Sequence, residues 1–166
     1  MSWHLDYPVK HKKLDLPEIQ SLDPKEVVTH KVESAYSLLK RPVLVEDITI
    51  RFEALGRLPG TFIKQFLSEL KVDGLCKLLD GYKTRKVWVE PHFAFFDGKE
   101  LKVFSATIEG KIAKTPKGDS GFGMDSIFIP IGHAKTWGEM TKEEQIETSV
   151  RKVALKKLQK YLRARK

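Results

Sequence analysis

The sequence predicts an α/β or α+β fold with a mixed β-sheet. Three patterns support this class: a capped helical periodicity after Asp23, an uninterrupted apolar run at residues 43–45, and the hairpin signal Asp97-Gly98. The chain has 166 residues, of which 41% are hydrophobic and 31% charged, so it can bury a substantial core. We therefore expect one domain covering residues 1–166.

Capping signals define the first and last predicted helices. Pro24 at the first helical position and a capping box between Asp23 and Glu26 predict a helix that ends before Pro42. Thr141 and Glu144 form a second capping box, after which apolar residues recur at helical spacing. This pattern predicts one continuous helix running toward the end of the chain.

The remaining segments predict the strands and two intervening helices. Residues 43–45 are continuously apolar, which favours an interior position in a partly parallel sheet. The segments Val87–Phe96 and Leu101–Ile108 flank the hairpin turn, and Pro91 implies a bulge or an edge. Residues 9–16 are also strand-like, and 126–131 form a further short strand. A helix follows Gly60, and Asp73 caps a short third one.

Composition limits the functional classes. The net charge of +8, from 30 Lys and Arg against 22 Asp and Glu, favours contact with phosphates without identifying the ligand. A single cysteine, the absence of an apolar run of roughly 20 residues and a start unlike a signal peptide predict a cytoplasmic protein without a membrane segment. Basic residues crowd the last helix around Arg151, but no aromatic interleaving accompanies them, so nucleic acid is an unlikely partner.

Two adjacent carboxylates are the sharpest candidate for chemistry. Glu46 and Asp47 directly follow the apolar run, and open sheets bind ligands at the carboxyl ends of such strands. With a third carboxylate such as Glu18 they would supply the hard oxygen ligands that Mg²⁺ prefers. Spacing alone fits a solvated strand end equally well.

A glycine loop is a second, weaker candidate. Gly118, Gly121 and Gly123 could expose backbone amides to phosphate, and Phe122 could stack on a flat ligand. The spacing matches neither a P-loop nor a dinucleotide fingerprint. An ordinary turn, with Phe122 in the core, is the simpler interpretation.

Several motifs in order make the sequence resemble the inosine and xanthosine triphosphate pyrophosphatase family. The similarity runs from about Leu14 to the last helix. The motifs are Leu16-Pro17-Glu18-Ile19-Gln20, Pro42-Val43-Leu44-Val45-Glu46-Asp47, Gly56-Arg57-Leu58-Pro59-Gly60-Thr61-Phe62-Ile63-Lys64, Phe93-Ala94-Phe95, Gly121-Phe122-Gly123-Met124-Asp125, Lys135-Thr136 and Glu139-Met140.

The resemblance implies an α/β fold with an elongated mixed β-sheet flanked by helices. It also implies a homodimer that hydrolyses purine nucleoside triphosphates to monophosphate and pyrophosphate with Mg²⁺. Glu18 and Asp47 would hold the metal, and Asp47 or Glu46 would orient the attacking water. Base recognition would come from Arg151, whose donors suit a 6-oxo purine. The implied substrate-binding residues are Lys64, Phe122, Gly123, Asp125, Ser149 and Arg151.

Departures from the family pattern predict impaired activity. The sequence starts beyond the family's first strand and its Ser/Thr-x-Asn-x-x-Lys loop, so we expect that strand and phosphate clamp to be missing. Met124 stands where the family has Trp, Val150 replaces a His, and Gln145 replaces a Lys. Apolar residues also occur at the positions Ile48, Ile50 and Trp88. The alternative hypothesis is an inactive or engineered derivative that acts as a self-associating or ligand-binding scaffold.

Overall fold

The α/β class is confirmed in the structure, a computed structural model that describes residues 7–165. Six strands form one sheet with the order β2-β1-β3-β5-β6, and β4 pairs with β3. None of the helices in this part of the chain is long and apolar enough to cross a membrane. The elements are α1 (Pro24–Leu39), β1 (Val43–Phe52), β2 (Pro59–Gly60), α2 (Ile63–Leu78), β3 (Lys86–Phe96), β4 (Leu101–Ser105), β5 (Ile108–Ile112), β6 (Phe128–Pro130), α3 (Lys142–Glu147) and α4 (Val150–Arg163), with 3₁₀ turns at Glu53–Leu55 and Trp137–Glu139.

Strand pairing is antiparallel in the pairs β1–β2, β3–β4, β3–β5 and β5–β6. The parallel pairing suggested by the apolar run is not seen in these pairs. Residues 86–89 of β3 pair with β5, whereas residues 92–96 pair with β4. Pro91 lies between the two registers, which agrees with the predicted irregularity, since proline has no backbone N–H to donate.

Two compact units divide the chain. Unit 1 contains residues 7–48, 91–106 and 150–165, and unit 2 contains residues 49–90 and 107–149 of the described chain. The single domain expected for residues 1–166 stays a prediction.

In unit 1, helices cover both faces of the strands. One cluster packs α1 on one face, and the other packs α4 on the opposite face, as the alternation of side chains along a strand requires. This double cover explains the continuous apolar run at residues 43–45 without any parallel pairing. The α1 cluster contains Val28, Val32, Ala35, Val43 and Ala94, and the α4 cluster contains Phe93, Ala154, Leu155 and Leu158 with Leu44 packed against them.

The hairpin between β3 and β4 forms where the sequence predicts it. Phe96 pairs with Leu101, and Asp97 Oδ1 accepts hydrogen bonds from the backbone N–H groups of residues 99 and 100 at 2.9 and 2.8 Å. Gly98 has φ +92°, and a Cβ there would lie 2.0 Å from Tyr36 Oη. Both the backbone conformation and the close approach of Tyr36 therefore require glycine.

Three local expectations are wrong. Residues 9–16 form no strand. Glu26 accepts a 2.6 Å hydrogen bond from Ser21 Oγ instead of completing a box with Asp23, although the Asp23 cap itself forms. The last helix is two helices, because Thr148 interrupts it: its Oγ accepts from Trp137 Nε1 at 2.9 Å and donates to the Glu144 carbonyl at 2.9 Å.

Two helical segments lie between residues 60 and 81, as the sequence predicts. Lys71 has the non-helical angles φ 56° and ψ −178° and splits α2 into two segments. The capping box of Thr141 and Glu144 is also present at the start of α3.

Candidate active site

The two adjacent carboxylates lie inside β1, since the strand continues to Phe52, and not at its end as expected. The β-branched residues Ile48, Thr49 and Ile50 extend the strand beyond them. Neighbouring side chains of a strand point to opposite faces, so Glu46 and Asp47 cannot act as a pair on one side of the sheet. Each carboxylate therefore has its own partner.

Asp47 points to the α1 face, where it contacts Lys31. Lys31 Nζ lies 3.0 Å from Asp47 Oδ1 and 3.4 Å from Glu18 Oε1. The Lys31 and Asp47 side chains are 18% and 16% exposed, while that of Glu18 is 37% exposed. The structure thus brings the two predicted metal ligands, Glu18 and Asp47, to one common cation.

Lys31 is a candidate site residue that the sequence analysis missed. It lies 13 residues after Glu18 and 16 before Asp47, so no short motif connects the three. A signal did exist in the first helix. Lys31 stands three residues after Val28 and four before Ala35, both buried, so a cation occupies the edge of the apolar stripe.

The opposite charges of Lys31 and Asp47 affect each other's pKa. Burial raises the pKa of Asp47, and the nearby Lys31 ammonium offsets this only in part. Burial opposes the charge of Lys31, but the attraction of Asp47, followed by that of Glu18, outweighs it and raises the pKa of Lys31. Lys31 is consequently protonated at neutral pH.

The donor set around Lys31 fits one mode of divalent-metal binding. Within residues 7–165 no group of three His, Cys, Asp or Glu side chains is placed to hold a metal ion. Mg²⁺ in nucleotide sites is often held by one or two carboxylates, with substrate phosphates and waters as the other ligands. Two converging carboxylates, Glu18 and Asp47, suit that mode, and a cage made only of protein ligands is not formed by these residues.

Glu46 points to the α4 face, where it pairs with Arg151 near the start of α4. Arg151 Nε donates a hydrogen bond to Glu46 Oε1. The side chain of Glu46 is 19% exposed and that of Arg151 is 33% exposed. The guanidinium is therefore fixed along its Nε edge by a strand residue.

The other predicted substrate-binding residues, apart from Arg151, belong to unit 2. Lys64 is exposed in the first turn of α2. Phe122 is 73% exposed, so its alternative assignment to the core is wrong. Asp125 Oδ2 accepts a 2.8 Å hydrogen bond from the Phe122 backbone N–H, which closes the turn around Gly123, where φ is +64°. Ser149 is half-buried in the segment between α3 and α4.

Several of the unusual apolar residues fill the core. Ile50, Met124 and Val150 are 4%, 6% and 5% exposed. Gln145 Nε2 donates to the Trp137 carbonyl at 2.7 Å and so holds the 3₁₀ turn of residues 137–139. These residues therefore stabilise the fold and do not form an exposed apolar surface, which leaves the scaffold alternative without support.

The chain is similar in sequence and in fold to several known proteins. The chain is 41% identical over 149 residues to inosine triphosphate pyrophosphatase 2 of Trypanosoma cruzi, covering 89% of this chain and 76% of that protein. It is 37% identical over 162 residues to inosine triphosphate pyrophosphatase of Schizosaccharomyces pombe, covering 96% and 85%. The solved structure of the Staphylococcus aureus Ham1 protein superposes with a TM-score of 0.83 at 28% identity, covering 92% of this chain and 82% of that one.

The fold and the site together define a class of protein. It is an α/β protein with an open antiparallel sheet of six strands and a carboxylate–lysine cluster on one face of that sheet. The sequence model of the Ham1 family matches residues 3–161. The chain belongs to the Ham1 family.

Proposed function

We propose that this protein is a nucleoside triphosphate pyrophosphohydrolase that acts on inosine and xanthosine triphosphates and their deoxy forms. The observation that carries the proposal is the convergence of Glu18 and Asp47 on Lys31. The names of the relatives support it: two are inosine triphosphate pyrophosphatases, and a third, from Hyperthermus butylicus, is a dITP/XTP pyrophosphatase that is 37% identical over 146 residues.

The proposed reaction is hydrolysis at the α-phosphorus. The oxygen of water bonds to that phosphorus, the bond to the oxygen that bridges the α- and β-phosphates breaks, and pyrophosphate leaves with the electron pair. Such a transfer depends on positioning and charge neutralisation more than on covalent help from the protein. Mg²⁺, when bound, neutralises phosphate charge and orients the phosphate oxygens.

Each residue of the Lys31 cluster has a separate proposed task. Glu18 and Asp47 hold the metal ion, and Asp47 also accepts a hydrogen bond from the attacking water. A carboxylate with a raised pKa is a better proton acceptor than an ordinary one. The Lys31 ammonium, which stays protonated, donates to a phosphate oxygen once the substrate competes for it.

Base recognition is assigned to Arg151 and Phe122. The 6-oxo group of hypoxanthine and xanthine accepts a hydrogen bond where adenine presents an amino donor, so a guanidinium favours the 6-oxo bases. Glu46 orients Arg151 through its Nε contact and is in this proposal a positioning residue. Phe122 offers an exposed ring for stacking. Lys64 contacts phosphate, while Gly123, Asp125 and Ser149 shape the base-binding loops.

The proposal also covers the setting in which the enzyme works. We place it in the cytoplasm as a homodimer with Mg²⁺ as its divalent ion. Cys76 is buried, and burial raises its pKa, which suits a structural thiol in a reducing compartment. Sedimentation of the purified chain measures the predicted dimer directly.

The test of the proposed function measures pyrophosphate and inorganic phosphate separately after incubation with Mg²⁺ and ITP, XTP, GTP or ATP. We expect pyrophosphate from the 6-oxo nucleotides, loss of that release in Asp47→Asn, and unchanged release in Asp73→Asn, which alters an exposed aspartate of α2. The absolute rate measures the impairment expected from the sequence. Equal release by the wild type and Asp47→Asn contradicts the proposal, as does release of phosphate alone.

A further inference from the structure

Helix α2 contains a strained residue that the proposed function does not use. Lys71 has φ 56° and ψ −178°. A positive φ combined with a ψ near 180° is rare for any residue with a side chain, because glycine is almost the only residue that adopts it. Lys40 also has a positive φ, but its ψ of 35° is that of an ordinary left-handed helix end. Lys71 is therefore a backbone outlier, and such outliers concentrate at functional sites.

The surroundings of Lys71 hold it in this conformation. Lys71 Nζ donates a hydrogen bond to the Ser68 carbonyl at 2.6 Å, which satisfies an acceptor in the last turn before the break. Gly74 lets the two segments of α2 approach closely, since a Cβ there would lie 2.8 Å from Leu70 Cβ. The break thus fixes the direction of residues 63–70 relative to residues 72–78.

The two segments of α2 differ in how they are anchored. In the second segment, residues 72–78, Leu75 and Cys76 are fully buried, and Arg85 Nη2 donates to the Cys76 carbonyl at 2.8 Å. In the first segment, residues 63–70, Ile63 alone is buried. A helical turn with few buried side chains has low local stability, so its half-buried residues matter for its position. One of these is Leu67.

Leu67 lies beside the loop that presents Phe122. A Cβ built on Gly123 would be 4.0 Å from Leu67 Cδ1, the distance of an ordinary van der Waals contact. Gly123 directly follows Phe122, and the loop closes on itself because the Asp125 backbone N–H donates to the Phe122 carbonyl at 3.2 Å. The Leu67 side chain therefore borders the turn from which the exposed Phe122 ring projects.

The same segment carries a second candidate substrate contact. Lys64 lies three residues before Leu67, and residues at this spacing are neighbours on the surface of a helix. One turn of helix therefore combines the proposed phosphate contact with a support for the proposed base-stacking loop. The conformation of Lys71 sets the direction of this turn.

We propose that Leu67 is a positioning residue for base binding, because it supports the loop that holds Phe122 in the orientation needed for stacking. This role rests on the proposed function, which places a purine base on Phe122. Leu67 touches no reacting atom in this arrangement. Its loss should therefore weaken binding of the base more than it slows the chemical step.

The first measurement is steady-state kinetics of three variants. Leu67→Ala is the test, and Leu67→Met keeps the apolar volume. Leu78→Ala is the matched control, since it removes the same atoms from a half-buried leucine of the second segment. We expect KM for ITP to rise about fivefold in Leu67→Ala, with kcat within about twofold of the wild type. Leu67→Met should restore most of the affinity, and Leu78→Ala should behave like the wild type.

Tripolyphosphate separates base binding from phosphate binding, because it has the phosphates of the substrate and no base. Its inhibition constant should agree within about twofold between the wild type and Leu67→Ala. A general disturbance of the site would instead weaken ITP and tripolyphosphate alike.

The second measurement does not depend on turnover. Hydrogen exchange of the backbone N–H groups of residues 121–125 should be about threefold faster in Leu67→Ala than in Leu78→Ala, since the loop loses its support only in the former. Thermal unfolding confirms that the variants are folded. Leu67→Val, a smaller deletion, takes the place of Leu67→Ala if the latter is unfolded.

Three results would overturn the proposal. The exchange rates of residues 121–125 are equal in Leu67→Ala and Leu78→Ala; Leu67→Ala loses affinity for ITP and for tripolyphosphate equally; or its defect is confined to kcat. If the wild type releases no pyrophosphate, the proposed function fails, whereas the exchange rates still decide whether Leu67 supports the loop.

Discussion

Lys31 Nζ lies 3.0 Å from Asp47 Oδ1 and thereby joins the middle of α1 to the middle of β1. Both side chains are mostly buried, and Glu18 contacts the same ammonium group. Breaking a fully buried ion pair by removing one partner costs about 3–5 kcal/mol, since the remaining charge is left uncompensated. The pair is therefore both part of the proposed active site and a structural connection in unit 1.

Replacing Lys31 with methionine is expected to lower the free energy of unfolding by about 1–3 kcal/mol, less than for a fully buried pair because both groups retain some solvent contact. Urea unfolding at pH 7 measures it. Lys25→Met, at an exposed position of the same helix, is the matched control and should stay within about 0.5 kcal/mol of the wild type. Adding Asp47→Asn should recover part of the loss, because it removes the unpaired charge. Equal stability of Lys31→Met and Lys25→Met would contradict the structural role.

Metal binding is expected to depend on nucleotide. With two carboxylates as protein ligands, Mg²⁺ alone should raise the melting temperature little, whereas Mg²⁺ together with the α,β-methylene analogue of ITP should raise it clearly. Glu18→Gln should weaken the combined effect and leave that of the analogue alone unchanged. EDTA should abolish pyrophosphate release. A large shift with Mg²⁺ alone, equal in the wild type and Glu18→Gln, would place the metal elsewhere.

The roles of Glu46 and Arg151 are separable by kinetics. Arg151→Lys keeps the charge but loses the planar fork, so the preference for ITP over ATP in kcat/KM should fall by about tenfold. Glu46→Gln should reduce the same preference while leaving much of kcat, since it acts through Arg151. If Glu46→Gln instead abolishes turnover on every nucleotide, Glu46 is a catalytic residue, as the sequence analysis allowed.

Gly98 in the β3–β4 hairpin allows the cost of a steric clash to be separated from the cost of backbone strain. Gly98→Ala combines a positive φ with a Cβ placed 2.0 Å from Tyr36 Oη, whereas Gly132→Ala has a positive φ of +80° and nothing within 4 Å of the added atom. Backbone strain alone costs about 1 kcal/mol. We expect Gly132→Ala to lose about that much in chemical unfolding and Gly98→Ala to lose at least twice as much. Equal losses would mean that Tyr36 moves aside without cost.

Asp97 should make the stability of the fold depend on pH in the acid range. The backbone N–H groups of Glu100 and Lys99, followed by Arg165, lower its pKa well below the ordinary value. In the unfolded chain this carboxyl takes up a proton near pH 4, while in the folded chain it remains ionised, so stability should fall as the pH drops below about 4. The melting-temperature difference between wild type and Asp97→Asn should be large at pH 6 and should shrink toward pH 2.5. Arg165→Gln should keep most of this dependence, since the backbone contacts are the larger cause.

Local signals predicted much of the fold. The Asp23 cap, the Asp97-Gly98 turn and the Thr141 capping box depend on residues a few positions apart, and all three form. Two of the failures involve partners farther away. The Trp137 side chain, 11 residues before Thr148, donates a hydrogen bond to the Thr148 hydroxyl and helps interrupt the last helix. In the same way Lys31 could not be assigned to the site without knowing that α1 covers the Asp47 face.

Strand geometry separates Glu46 from Asp47. The sequence analysis pairs them, yet adjacent residues of a strand face opposite sides, and the β-branched residues that follow predict that the strand continues. The structure gives each carboxylate a different helix: α1 through Lys31 and α4 through Arg151.

The double cover of the strands in unit 1 limits how this protein can diverge. Every residue of β1 and β3 is buried or half-buried, so these strands offer few solvent-facing positions at which polar substitutions accumulate harmlessly. Colloidal properties must then be adjusted on the outer sides of helices and in loops. Variation in surface charge among relatives should accordingly concentrate on elements such as α4, while the strand sequences that position Glu46 and Asp47 change slowly.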